Sequence, residues 1–309
     1  MIETDIAIVG AGPVGLFTVF EAGLLKLRCH LIDALPIPGG QCAEIYPKKP
    51  IYDIPGYPSV LAGELVDNLM EQIKPFKPTF SLGQRVEGLE KQEDGSFILT
   101  TSEGEKIKAP VVAIAAGLGC FEPRKPPLEN IAKYERKGIE YIVRDPEQFR
   151  DKKVIIAGGG DSALDSVEKV VDLAKAGKVN LISEAEVKGI RGNGVLNGVT
   201  IKHKTEGEIE KDVDYFVPLF GLSPKLGPIA DWGLKITKNA IEVNTLDYST
   251  NIEGIYAIGD INTYPGKLKL ILCGFHEGTL MVQSAFKRIY PDKKLSFKYT
   301  TVNGVNGFE

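Results

Sequence analysis

The stretch IAIVGAGPVGLFTVFEAGLLKLRCHLID, residues 6–33, constrains the fold of this chain more than any other. An apolar run, glycines at 10, 12 and 15, a helical apolar spacing and a second apolar run ending at Asp33 spell strand, tight turn, helix, strand. Gly10 permits the turn, Gly12 lets a pyrophosphate approach the backbone, and Gly15 lets the helix pack on the strand. Pro13 and Val14 open the helix, whose free N–H groups favour an anion. Asp33, about twenty residues past the turn, is placed to accept from a ribose 2′-OH and would repel a 2′-phosphate. This favours FAD or NAD over NADP at the first turn. Strand, turn, helix and strand with these residues form a βαβ dinucleotide fingerprint, so the class is α/β.

The pattern recurs at KKVIIAGGGDSALD, residues 152–165. Gly158, Gly160 and Ala163 fill the three small-residue roles, and Asp161 and Ser162 suit a first helical turn. With 309 residues, 43% of them apolar, the chain is long enough for two cores. Two dinucleotide cradles make chemical sense when a hydride must pass between two bound cofactors.

A net charge of −4 argues against a nucleic-acid binder, which needs a basic field. Cys29, Cys42, Cys120 and Cys273 form neither a C-x-x-C pair nor a zinc spacing, Met1 leads straight into a strand, and no apolar stretch is long enough to span a bilayer. These features point to a cytoplasmic setting without metal or membrane.

Two further stretches bear on a ligand. The loop PIPGGQCAEIYPKKPIYDIPGYP contains Tyr46, Tyr52 and Tyr57, whose rings could stack on an isoalloxazine, and Gln41, which could meet its polar edge. Far along the chain, TNIEGIYAIGDI ends a strand at Gly259-Asp260, and a helix begins soon after, around Gly274 to Gly278. An acid at a strand end can hold a ribityl hydroxyl, and a helix N-terminus can stabilise negative charge on a reduced flavin.

Together with VVAIAAGLGCFEP, MEQIKPFKPTF, FGLSPKLGPIADWGL and GDINTYPGKLKLILCGFHEG, these stretches resemble the thioredoxin-reductase-type ferredoxin–NADP⁺ reductases along essentially the whole chain. The resemblance implies two Rossmann-like, three-layer domains with the FAD domain discontinuous. Residues 1–116 and 249–309 would form the FAD domain, and residues 117–248 the NAD(P)H domain. It implies a homodimer that moves electrons through FAD between NADPH and ferredoxin or flavodoxin, by hydride transfer to the flavin and then one-electron steps. It implies FAD contacts at Val14, Asp33, Gln41, Tyr46, Val86, Phe121, Asp260 and Thr300 or Thr301. Tyr46 would stack on one flavin face and Tyr299 of the C-terminal tail on the other, with Phe308 the alternative if the tail folds back. Thioredoxin reductase itself fits poorly, because GIEYIVRDPEQFRDKKVIIAGGG holds no C-x-x-C for a disulfide relay.

The family carries a His-Arg-Arg cluster after the second turn to hold the 2′-phosphate. Here Asp165 is followed by SVEKVVDLAKAGKVNLISEAEVKGIRGNG. Read from its residues, this is one helix from Asp161 to Lys175, then a strand from Lys178 to Ser183. Glu184 would then take the discriminating position and select NADH. Read against the family, it matches the segment beyond the cluster, so that about 25 residues, somewhat more than the ~20 between a turn and its discriminating residue, have no counterpart between Asp165 and Ser166.

His30 and His203 read as structural, and His276 as a candidate for tuning the flavin. Lys48, Lys49, Lys74, Lys77, Arg124 and Lys125 are candidates for docking an acidic electron partner. Two other readings stay open. One is an NADH-dependent oxidase or peroxide reductase using Cys42 or Cys120. The other is a flavin-bound regulatory protein with an incompetent nicotinamide domain.

Overall fold

The run Ile6–Val9 is buried at every position, as a strand covered on both faces must be. The computed structural model describes residues 1–141, 146–158, 180–220, 222–295 and 300–308. The elements that place the first turn are β1 (Ile6–Val9), α1 (Pro13–Leu24), β2 (Cys29–Asp33), α2 (Ala62–Ile73), β3 (Thr79–Leu82), β4 (Val111–Ile114), β5 (Ile255–Ala257) and α3 (Ile271–Ile289). The five strands form one parallel sheet in the order β5-β4-β1-β2-β3, with Ile6 opposite both Cys29 and Val111.

Alternation along these strands builds two cores. Ile6, Ile8, Leu31 and Val111 face one way and pack with Leu16, Leu65, Leu69 and Met281 of the helices. Ala7, Val9, Ile32 and Val112 face the other way, onto Val86, Phe97, Leu99 and Ile107. Those residues belong to a second sheet built from Ile2–Glu3, Lys106–Ala109, Phe97–Thr101 and Val86–Lys91. Helices, parallel sheet and antiparallel ribbon thus make the three expected layers, and the unit is discontinuous in sequence as expected.

The compact units are Met1–Cys120 with Pro224–Glu309, and Phe121–Ser223. The expected start of the second FAD segment at residue 249 therefore moves back to Pro224. Leu226, Ile229, Leu234 and Ile241 share the core of Ile255, Ala257 and Ile261, and Ala240–Glu242 pairs in parallel with Asn262–Thr263. That burial ties residues 224–248 to the first unit.

In the second unit Val154–Ala157 pairs in parallel with Tyr215–Pro218. An antiparallel ribbon comes next, Ala185–Gly192, Leu196–His203 and Gly207–Asp212, turning at Asn193-Gly194 with Gly194 at φ +80°. Leu128, Ile139, Val199, Val213 and Phe216 form its core. The strand expected at Lys178–Ser183 is not present among the described residues of that range, 180–183. Glu184 is exposed at φ +49°, its carbonyl accepts from Lys204 N at 3.1 Å, and the residue opens the antiparallel ribbon. It therefore does not end a parallel strand beside Val154–Ala157, and the reading that made it the NADH determinant is corrected. The Asp165–Ser166 junction lies outside the described residues.

Candidate functional site

Gly10 stands at φ +114°, and a Cβ there would overlap the Ala115 carbonyl oxygen. A Cβ on Gly15 would overlap the Gly10 carbonyl oxygen, whereas one on Gly12 would meet nothing within 4 Å. The outer two glycines are thus demanded by packing, and the middle one opens on space. Gly12 is also the N-cap of α1, with Pro13 at its start and no side chain capping it. Among the described residues, that leaves the first-turn N–H groups free to meet an anion.

Asp33 ends β2 beside this turn. Its carboxylate accepts from Ala11 N at 2.7 Å and Leu35 N at 2.9 Å. Burial pushes its carboxyl above the ordinary value, against the pull of those two N–H groups. Gln84 N donates to Asp33 O at 3.0 Å, which brings the start of Val86–Lys91 alongside; the Val86 side chain itself is core.

The tyrosine loop closes over the same place. Gly39 N donates to Ala11 O at 2.8 Å, and Gly40 packs on Gly12. A Cβ on Gly117 would lie 3.7 Å from Gln41 Nε2. Tyr46 is half-buried and hydrogen-bonded to the buried Cys42 thiol, and burial pushes its hydroxyl up to about 12. Burial also pushes the Cys42 thiol up, which opposes thiolate chemistry. Tyr52 and Tyr57 are exposed.

Asp260 lies in the tight turn Gly259–Ile261, where Gly259 at φ +76° meets Val14 of the glycine turn. Val14 also touches Gly274 in α3, and Thr18 touches Gly278, so small residues let α3 cross α1 close to its N-terminus. Burial raises the Asp260 carboxyl, while Lys267 and Lys269 draw it down. The structure therefore brings Gly10, Gly12, Pro13, Val14, Gly15, Asp33, Gln41, Tyr46 and Asp260 to one end of the parallel sheet.

Thr300 and Thr301 are exposed on the short helix Thr300–Asn303. The tail beyond folds back, but not over this site. Lys26 Nζ donates to the carbonyls of Asn306 and Gly307, Phe308 N donates to Pro75 O at 2.8 Å, and the Phe308 ring meets Phe76 at 6.4 Å. Phe308 thus lies beside Asp5 and Cys29, at the N-terminal ends of the strands. Phe121 is in a strand, but its side chain lies outside the described residues, as does Tyr299.

At the second turn, a Cβ on Gly158 would press into the Leu219 carbonyl oxygen. Gly160, Asp161, Ser162 and Ala163 lie outside the described residues. His30 is buried between Thr79 Oγ1 at 2.7 Å and Ser81 Oγ at 2.9 Å, and His203 Nδ1 accepts from Glu206 N in its ribbon. His276 is exposed. Of the expected basic residues, Lys49 stands over the Tyr46 ring, whereas Lys74 pairs with Glu71 and Lys125 with Glu135.

Sequence reasoning missed one group, a buried network centred on Glu277. Its carboxylate accepts from Gly259 N at 2.6 Å, Asn262 Nδ2 at 2.8 Å, Tyr264 Oη at 2.8 Å and Lys267 Nζ. The available signal was an acid between Gly274 and Gly278, on the helix face that the glycines mark as packed.

The pyridine nucleotide-disulphide oxidoreductase family pattern matches residues 4–178 and 166–278. Ferredoxin–NADP reductase 1 of Christiangramia forsetii is 65% identical over 338 aligned positions, spanning 100% of this chain and 96% of the relative. Ferredoxin–NADP reductase of Flavobacterium johnsoniae is 61% identical over 337 positions, with the same coverages. Alignments of 338 positions against a chain of 309 residues leave about 29 positions that the relative fills and this chain does not. The second family match begins at Ser166, and residues 166–178 fall in both matches. Among solved structures, thioredoxin reductase of T. acidophilum superposes with a TM-score of 0.69 at 23% identity, covering 93% of this chain and 99% of that one. Bacillithiol disulfide reductase of Staphylococcus aureus gives 0.70 at 17%, with the same coverages. At these identities the likeness is one of fold.

Proposed function

This chain belongs to the pyridine nucleotide-disulphide oxidoreductase family, and we propose that it is an FAD-dependent reductase moving electrons between NADPH and ferredoxin or flavodoxin. The observation that carries the reading is the open cradle at Gly12, ringed by Asp33, Gln41, Tyr46 and Asp260. These residues fit FAD. The α1 N-terminus and Gly12 would take the pyrophosphate, Asp33 the ribose, Asp260 the ribityl chain, and Tyr46 one face of the ring system. Val86 would contribute backbone beside the adenine end, and Phe121, Thr300, Thr301 and Tyr299 complete the set that family resemblance suggests.

When bound, FAD supplies two-electron chemistry toward a nicotinamide and one-electron chemistry toward a protein partner. The chain's own part is to bind and orient. The half-buried Tyr46 keeps water from one face, and the two acids hold hydroxyl groups in place. No acid–base side chain is required. The relatives are named for ferredoxin and NADP, which supports that pair of partners here.

Gly158, Gly160, Asp161, Ser162 and Ala163 form the proposed nicotinamide cradle. We place the shortfall of about 29 positions between Asp165 and Ser166, where the second family match resumes. The basic cluster that would grip a 2′-phosphate falls within it, so this chain takes NADPH with little discrimination against NADH. Cys29, Cys42 and Cys273 are free, and Cys29 and Cys42 are buried with thiols raised by burial. Disulfide or peroxide chemistry at Cys42 is therefore disfavoured. We assign the protein to the cytoplasm as a homodimer; no helix among the described residues is long and apolar enough to cross a membrane.

Steady-state electron transfer from NADPH to ferredoxin, measured beside a neutral dye acceptor, tests this reading. Turnover with both is expected. An FAD-loaded protein that reduces the dye but neither ferredoxin nor flavodoxin would refute the partner. Lys48→Glu with Lys49→Glu should slow the protein acceptors at low salt and leave the dye rate unchanged.

A further inference from the structure

Glu277 is wholly buried in the second turn of α3, and its ion-pair partner Lys267 is 6% exposed at the side chain. An acid so placed is costly unless every lone pair is engaged. Here one oxygen accepts from Gly259 N and Asn262 Nδ2, the other from Tyr264 Oη and Lys267 Nζ. All four donors come from residues 259–267, the segment that leaves β5 and carries Asp260. Asn262 Nδ2 also donates to Ala257 O at 2.9 Å, which ties the network back to the strand end. Lys267 stands over the Tyr264 ring at 5.3 Å from its centre, so the cation is held on a second side.

The geometry sets where Asp260 sits. Gly259 takes its one N–H bond to Glu277 and presses against Val14 of the glycine turn on its other side. Asp260 comes directly after, between two residues that the same carboxylate holds. The carboxylate and the ammonium are also both felt at Asp260, with opposite signs.

We infer that Glu277 and Lys267 form a positioning pair that fixes the Gly259–Asp260 turn against the first glycine turn and sets both the affinity and the reduction potential of the flavin. The inference rests on the FAD reading under Proposed function. Both side chains are buried, so they act through Gly259 and Asp260, and through a field. Glu277→Gln leaves an unmatched cation near the flavin, which favours the reduced, more negative form. Lys267→Met leaves an unmatched anion and does the opposite.

The test is titration of the apoprotein with FAD and measurement of the flavin midpoint potential, in wild type, Glu277→Gln, Lys267→Met and Leu99→Ala. Leu99 is buried behind the sheet and serves as a control for loss of stability alone. Both pair variants should weaken FAD at least tenfold, beyond any effect of Leu99→Ala at equal loss of Tm. The potential should rise in Glu277→Gln and fall in Lys267→Met. Shifts of the same sign, no shift, or FAD affinity that merely tracks Tm would overturn the inference. Should Glu277→Gln not fold, the Lys267→Met potential and affinity decide alone. A wild-type chain that binds no FAD would refute the functional reading instead, a distinct result.

Discussion

The two glycine turns share a local design and differ in what surrounds them. After β1, Ala115 N donates to Val9 O at 2.8 Å; after Val154–Ala157, Leu219 N donates to Ala157 O at 2.7 Å. In each case the next residue is a glycine whose Cβ would collide with the carbonyl oxygen of that same neighbour, Ala115 or Leu219. The flanks diverge from there. β1 is paired on both sides, and Ile8 is fully buried. Among the described residues, Val154–Ala157 has its ladder with Tyr215–Pro218, and Ile156 is 61% exposed. A glycine turn is a local device that seven or eight residues can specify. Choosing a dinucleotide's outer end takes the next strand, which in the first unit is β2, ending at Asp33.

The largest expected contrast comes from matched glycine substitutions. Gly10→Ala places a side chain at φ +114° against backbone and should cost at least about 2 kcal/mol, with loss of bound FAD on purification. Gly158→Ala should leave FAD stoichiometry intact and reduce only the rate of flavin reduction by NADPH. Equal FAD loss in both, read from the absorbance ratio of flavin to protein, would erase the distinction between the turns.

Asp33→Asn comes next. Removing a carboxylate that holds two backbone N–H groups and the proposed ribose should weaken FAD by roughly 1.5–3 kcal/mol, about a 10- to 150-fold rise in Kd by fluorescence titration. Glu184→Gln, the corresponding change at the residue that one of the two sequence readings made the discriminator of the second unit, should leave the KM ratio of NADPH to NADH unchanged.

A smaller effect separates the strands themselves. Ile8→Thr buries an extra hydroxyl in a full core and should cost about 1–3 kcal/mol. Ile156→Thr should change stability by no more than about 0.5 kcal/mol. A large loss from Ile156→Thr in urea unfolding would mean that this face is covered after all.

Smallest of all, Cys42→Ser should keep turnover within about twofold of wild type, because a thiol raised by burial is a poor nucleophile. A greater loss of dye reduction would bring the peroxide-reductase reading back.

The first unit was legible because its signals are local and redundant. Gly10, Gly12, Gly15 and Asp33 each answer to a separate geometric demand, and the apolar run Ile6–Val9 fixes the strand that leads into them. Residues 224–248 were misassigned because Leu226 and Ile241 join the first core through long-range packing, which no period in the sequence announces. Glu277 escaped for a similar reason: an acid in a helix ordinarily reads as solvated, and only the fold shows four donors converging on it. Phe308 was expected over the flavin if the tail turned back. The tail does turn back, but Lys26 and Pro75 hold it at the opposite end of the strands. Glu184 was placed by counting from a helix in one of two readings; the ribbon of ISEAEVKGIRGNGVLNGVTI around Asn193-Gly194 agrees with the other, the match to the family.

The function proposed above has the first turn hold FAD and the second take a nicotinamide without gripping a 2′-phosphate. Anaerobic titration of the FAD-loaded protein with NADPH and with NADH, monitored by bleaching of the flavin absorbance, separates the outcomes. Bleaching by both is expected, with apparent Kd values within about tenfold, or about 1.4 kcal/mol. A preference for NADPH of about 100-fold or more, equivalent to about 2.7 kcal/mol, would contradict it, as would a protein bleached by neither.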